Sequence, residues 1–384
     1  MKSVLWFHRV ACALGVAALS SAAAQPSPGV TPHEVLLGQS ASFSGSFASQ
    51  AASYRDGALA YFAAVNARGG VHGRRIRLIS LDDGYVAERA VENTRRLIER
   101  DRVFALFNPT WTNTVKASLP LAEAAGVPLF APYTGYEELY ARSSPQVFTT
   151  RASFADELAQ IVRHLHTIGL TRMGLVHYDS PPGRELLDDT RQRAEALQMK
   201  LVATGTMKAG SRDAAAAVDA LKRTDDLQAL IIGVSGSDAV AFIRAFDRVR
   251  KGRTAYYARS LIGIQHLVSE LGAQAQGLSV SQTAPNPHKN RTPVAVEYRA
   301  LLQHYNPALQ PDYIGLEGLV SAKVFVEALR RTGPRPTREA LRHSLERMNA
   351  YDAGGYTVGF SPQQHHGSRY VDIVMIGAGG RIVD

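Results

Sequence analysis

Cysteine and tryptophan are nearly missing from this sequence, with one Cys and two Trp in 384 residues. A lone Cys12 excludes an internal disulfide framework and a four-cysteine zinc site. Long apolar runs are scarce too. The best candidate, residues 10–19, is well short of the ~20 residues that cross a bilayer. Catalytic signatures are also absent. The nearest approach to a Gly-x-Ser-x-Gly elbow, Gly233-Val234-Ser235-Gly236-Ser237, lacks the final glycine. There is no His-Glu-x-x-His, no phosphate loop ending Gly-Lys-Ser/Thr, and no Gly-x-Gly-x-x-Gly following a strand. His164 and His166 are two apart on a predicted helix and point away from each other. His365-His366 falls in a predicted turn, and neither pair makes a metal site. No cofactor, no metal and no enzymatic activity are expected.

The N-terminus reads as an address. Lys2 and Arg9 precede the apolar run, and Ala22-Ala23-Ala24 closes it with an Ala-x-Ala signal. Cleavage is expected after Ala24. Arg9 stands where a lipoprotein signal would carry an aliphatic residue, so Cys12 is expected to leave with the leader. The formal charge then falls from +9 to +7. A basic balance raises the question of nucleic acid. The cations, however, are interleaved with acids, as in Glu88-Arg89, Glu99-Arg100-Asp101-Arg102 and Arg338-Glu339. Such runs are solvated helix faces, and no aromatic–basic interleaving suggests base stacking. No nucleic-acid partner is expected.

What is plentiful is alternation. Predicted strands at 35–41, 75–81, 103–107 and 127–131 are separated by helices at 54–67, 87–100 and 112–125. The pattern then restarts, with strands at 173–177, 201–206 and 228–232 between helices at 154–168, 184–198, 214–223 and 238–250. Strand–helix alternation without hairpin signals predicts parallel sheets covered on both faces. Residues 89–107 and 213–231 share one helix–strand spacing, a faint echo between two halves. The last stretch, 356–384, alternates like antiparallel strands.

Several segments together carry a resemblance. They are Val35–Gly45 (VLLGQSASFSG), Asp56-Gly57 heading a helix, Ala67-Arg68-Gly69-Gly70-Val71-His72-Gly73, Leu81-Asp82-Asp83, and Ala124-Ala125-Gly126-Val127-Pro128-Leu129-Phe130-Ala131-Pro132. In this order and spacing the chain resembles type I periplasmic binding proteins, in the branch similar to leucine/isoleucine/valine-binding proteins of ABC importers. The resemblance implies an α/β fold of two Rossmann-like lobes with parallel sheets, joined by a three-strand hinge. The crossings would lie near 149–151, 281–283 and 349–353. Residues 34–150 plus 283–350 would form the N-terminal lobe, and 152–281 plus 353–384 the C-terminal lobe.

It further implies a monomeric, periplasmic, non-enzymatic receptor. Such a receptor binds a small-molecule solute between its lobes and docks on a membrane permease. A sensor feeding a signalling receptor is the alternative. By the family's pattern Thr112 contacts the solute carboxylate, with Trp111 beside it as a wall. Tyr133 and Thr134 occupy the next loop, although Gly135 stands where the family has its key Thr. Ser44 and Phe47 would line the rim, Ser235 lies in a facing loop of the second lobe, and Asp179, off the family's pattern, is the substitute candidate for an acid that pairs an α-ammonium. Ser260 stands where amino-acid binders carry the acid that pairs the α-ammonium. The expected solute therefore keeps its carboxylate and need not be an α-amino acid. Helix N-termini beyond the strand ends suit such an anion.

Overall fold

The computed structural model describes residues 27–141, 144–250 and 252–384. The leader, residues 1–24, lies outside them. The first half runs β1 (Glu34–Ala41), α1 (Ala48–Ala67), β2 (Arg75–Asp82), α2 (Ala87–Arg95), β3 (Ala105–Phe107), α3 (Thr112–Ala124), β4 (Leu129–Phe130), α4 (Glu137–Ala141) and β5 (Val147–Phe148). The second runs α5 (Phe154–Thr167), β6 (Arg172–Tyr178), α6 (Pro181–Ala196), β7 (Lys200–Met207), α7 (Ala215–Leu221), β8 (Ala229–Ile232), α8 (Gly236–Asp247), β9 (Ala255–Ala258), α9 (Ile264–Leu271) and β10 (Ser279–Gln282). Helices α10 (Pro293–Tyr305), α11 (Tyr313–Arg331) and α12 (Arg338–Glu346) follow. The chain ends with β11 (Tyr351–Asp352), β12 (Thr357–Val358), β13 (Asp372–Ile376) and β14 (Ile382–Val383).

The strands form two sheets and a small hairpin. The first sheet has the order β2-β1-β3-β4-β5 and is parallel throughout. The second has the order β14-β13-β10-β9-β8-β6-β7, parallel except where β13 joins β10 and β14 antiparallel. Its inner run β7-β6-β8-β9-β10 repeats the order of the first sheet. The echo between 89–107 and 213–231 falls on the α2–β3 and α7–β8 units, which hold the same place in each lobe.

Each sheet buries both faces. Phe104, Phe107 and Phe130 pack with α1, α10 and α11 on one side of the first sheet, and Leu106 and Leu129 pack with Val115 and Leu119 on the other. Helices α1 and α11 touch backbone to backbone. A Cβ on Gly57 would fall 1.8 Å from the Gly315 carbonyl oxygen, so only glycine fits there. Start signals are explicit in the second lobe. Ser153 and Asp156 exchange side-chain and backbone bonds in a capping box on α5. Ser180 caps α6, with proline in its first turn.

The chain passes between lobes at 149–153, again just after β10, and last between Gly367 and Asp372. This last crossing corrects the position expected at 349–353. Ala353, Tyr356, Val358 and Phe360 belong to the first lobe's core rather than the second's. The alternating apolar residues of the β11–β12 segment need a face to bury, and the edge of β5 supplies it. Phe360 meets Phe148 edge-on at 5.4 Å, and His365 stacks on Phe148 at 3.9 Å. Only β13 and β14 then reach the second sheet.

Candidate ligand-binding cleft

Both sheets direct the carboxyl ends of their strands at one cavity of about 540 Å³ between the lobes. Loops after β1, β2, β3 and β4 line it from one side, and loops after β6, β7, β8 and β9 from the other. This is the crevice at which open parallel sheets bind ligands.

The first lobe contributes an aromatic wall. Phe47 lies 4.4 Å from Trp111 and 4.7 Å from Tyr85 between ring centroids. Trp111 caps α3 with φ +70°, a left-handed conformation that is costly for any residue but glycine. Its N–H is held by the Tyr133 carbonyl at 3.1 Å. The indole is 4% exposed, and its own N–H has no partner. Tyr85 follows the acidic pair Asp82-Asp83, whose work is architectural. Asp83 accepts Ser40 and Ser42 hydroxyls and the Tyr85 N–H. Asp82 accepts the N–H groups of Phe43, Ser44 and Gly84. Burial opposes ionisation of Asp82, yet these bonds hold its carboxyl below the usual range.

The second lobe contributes a tyrosine, an arginine and a close approach at a glycine. The Tyr178 hydroxyl donates to Asp238 at 3.0 Å and accepts the Ser235 N–H, fixing its ring. Gly236, at φ +56°, is in contact with the first lobe; a Cβ there would come 2.9 Å from the Phe47 ring. Arg259 follows β9 directly, and its guanidinium sits 4.2 Å over the Phe154 ring. Among the described residues it makes no ion pair, although it lines the cavity. Burial pushes its pKa down, with Glu157 pulling the other way. Glu137 also lines the cavity and accepts the Ala155 N–H at 2.7 Å; burial pushes its carboxyl up.

Of the residues singled out from sequence, Thr112, Trp111, Phe47 and Ser235 line the cavity. Tyr133 and Thr134 lie beneath it, fully buried, with Thr134 hydrogen-bonded to the Thr112 hydroxyl at 2.7 Å. Ser44 is tied to Asp82 on the surface, and Asp179 is exposed and paired with Arg184 at 3.2 Å. Ser260 faces away into a buried charge cluster at the crossings. Its N–H and hydroxyl both donate to Glu157. Arg151 donates to Ser260 and Thr283 and pairs with Glu157 at 3.4 Å and Glu317 at 3.1 Å. Tyr85, Tyr178 and Arg259 were not picked out from sequence. The available signal for Arg259 was its position, the first residue after a buried strand.

Comparisons with known proteins agree with this geometry. A family model described as periplasmic binding protein matches residues 34–381. The fold is similar to a substrate-binding periplasmic protein from Ralstonia solanacearum, with 31% identity, TM-score 0.84, and coverage of 91% of this chain and 99% of that one. An extracellular ligand-binding receptor from Verminephrobacter eiseniae is similar at 27% identity and TM-score 0.83, covering 91% and 100%. An amino acid binding protein of Pseudomonas aeruginosa aligns over 183 residues at 23% identity. That match spans 47% of this chain, which covers about half the relative's length, 48%.

Proposed function

The chain belongs to the periplasmic binding protein family, and from that premise we propose that it is the solute receptor of an ABC importer. It binds a small carboxylate-bearing molecule, an amino acid or a related organic acid, in the interlobe cavity. It works in the periplasm as a monomer after losing its leader at Ala24, and it presents its closed form to a membrane permease. The observation that carries this reading is the cavity itself, walled by the strand ends of both lobes. A molecule held there contacts both halves, so its binding free energy favours the closed arrangement.

The carboxylate part of the reading is supported by the first turn of α3, where Thr112 stands, and by the cationic Arg259 opposite. The relative that binds amino acids, together with the importers of the resembled branch, supports the solute class.

Mass spectrometry of small molecules released from the purified mature protein tests it. The expected result is one carboxylate-bearing compound that rebinds the emptied protein and is recovered unchanged. Recovery of a chemically altered compound, or failure of every released compound to rebind, overturns the reading.

A further inference from the structure

We infer that Arg259 is the anchor of the cleft, and that the solute it holds is an aromatic monocarboxylate rather than an α-amino acid. The inference rests on the receptor reading above and narrows its ligand.

A guanidinium withdrawn from water normally keeps a carboxylate beside it, because an uncompensated buried charge is costly. This protein follows that rule beside the neighbouring Ser260, where Arg151 is paired with two glutamates. Arg259, half-buried at the cavity wall, departs from it, having no ion pair among the described residues. Its contact is the ring of Phe154, which holds the planar cation while leaving in-plane N–H donors free. Those donors form the fork that matches a carboxylate in two parallel bonds. The missing partner is thus supplied from the cavity.

The body of the solute is read from the walls. Phe47, Tyr85, Trp111, Tyr136, Phe154 and Tyr178 place aromatic rings around the cavity. Flat apolar groups stack in such an enclosure. The case against an α-ammonium is also geometric. Ser260 has its hydroxyl committed to Glu157. Of the acids at the cavity, Glu137 is engaged by the Ala155 N–H and Asp189 is paired with Arg193 at 2.7 Å, while Glu185 is exposed. None of the three stands at residue 260, where the resembled amino-acid binders carry the acid that pairs an α-ammonium.

The test is isothermal titration of the mature protein, stripped of bound solute, with benzoate, 4-hydroxybenzoate, 3-phenylpropionate and 2-naphthoate. Their neutral amides, L-phenylalanine and L-valine are run in parallel. At least one aromatic acid is expected to bind at least about 100-fold more tightly than its amide and than either amino acid. The variant Arg259→Gln should lose about 100-fold for that acid while keeping its affinity for the amide, which shows the cavity is still folded. An amide that binds as well as the acid, or an acid that binds Arg259→Gln within about threefold of the parent, overturns the inference. So does a panel in which no aromatic acid binds but an amino acid does, an outcome that leaves the receptor reading intact. If no compound of the panel binds and none released from the purified protein rebinds, both fall together.

Discussion

Two arginines of this protein, Arg151 buried and Arg259 half-buried, are treated oppositely. Arg151, at the first crossing, is enclosed by Glu157, Glu317, Ser260 and Thr283. Arg259, one residue before Ser260, faces the cavity with an aromatic ring for company. The first is neutralised by the fold and ties together segments from both lobes. The second is left for something the fold does not contain. The difference separates charge that holds the architecture from charge that awaits a ligand.

Exchanging each arginine for glutamine is the sharpest way to break the comparison. Arg151→Gln leaves two buried acids without their cation and should cost about 3–5 kcal/mol of unfolding free energy, read by urea denaturation. Arg259→Gln should change the stability of the solute-free protein by less than about 1 kcal/mol, because no internal pair is lost. Equal losses would mean that both arginines are structural.

Trp111→Ala removes the ring between Phe47 and Tyr133. It should weaken solute affinity by about 2 kcal/mol or more by calorimetry, the scale of a buried aromatic anchor. An unchanged affinity would shift the weight of binding onto the second lobe.

A smaller effect concerns pH. Burial pushes the Glu317 carboxyl above its ordinary value of 4.5, with Arg151 pulling it back. The folded protein therefore keeps a proton that the unfolded chain releases. That contribution to stability is full below 4.5 and is lost as pH rises toward the folded value. Glu317→Gln should flatten this part of the curve, so its melting temperature gains on the parent's as pH rises from about 4 to about 7. A parallel pair of curves would show that the cluster titrates through another group.

The smallest effect is expected at Gly236→Ala. The methyl group meets Phe47 and occupies a positive-φ position, so solute affinity should drop several-fold, by about 1 kcal/mol. Measured against Phe47→Leu alone, the same substitution should cost less than it costs the parent. An equal loss in both backgrounds would assign it to backbone strain.

Much of this architecture was legible in the residues. The strand–helix alternation marked both sheets, and the loop after β3 was placed at the cleft because strand ends face it. What escaped depended on neighbours distant in sequence. Tyr133 and Thr134 follow β4 as expected, yet the Trp111 ring packs on Tyr133 and the Thr112 hydroxyl is bonded to Thr134, and both are buried. At the end of β9, the family's pattern points to Ser260. Whether residue 259 or 260 turns toward the cavity is set by a short 3-10 turn at Ser260–Ile262 and by Glu157, 103 residues away. The late third crossing escaped because Tyr356, Val358 and Phe360 alternate as well for one sheet edge as for another.

The bare backbone at 236 has a consequence for anything that touches the outside of the molecule. With no side chain there, the phenyl ring of residue 47 comes to rest against the opposite half and acts as an end stop. On the receptor reading, this contact would bound the approach of the halves whatever fills the interior. Under the proposed role, solutes of different bulk would then leave a similar outer contour for a docking partner to meet.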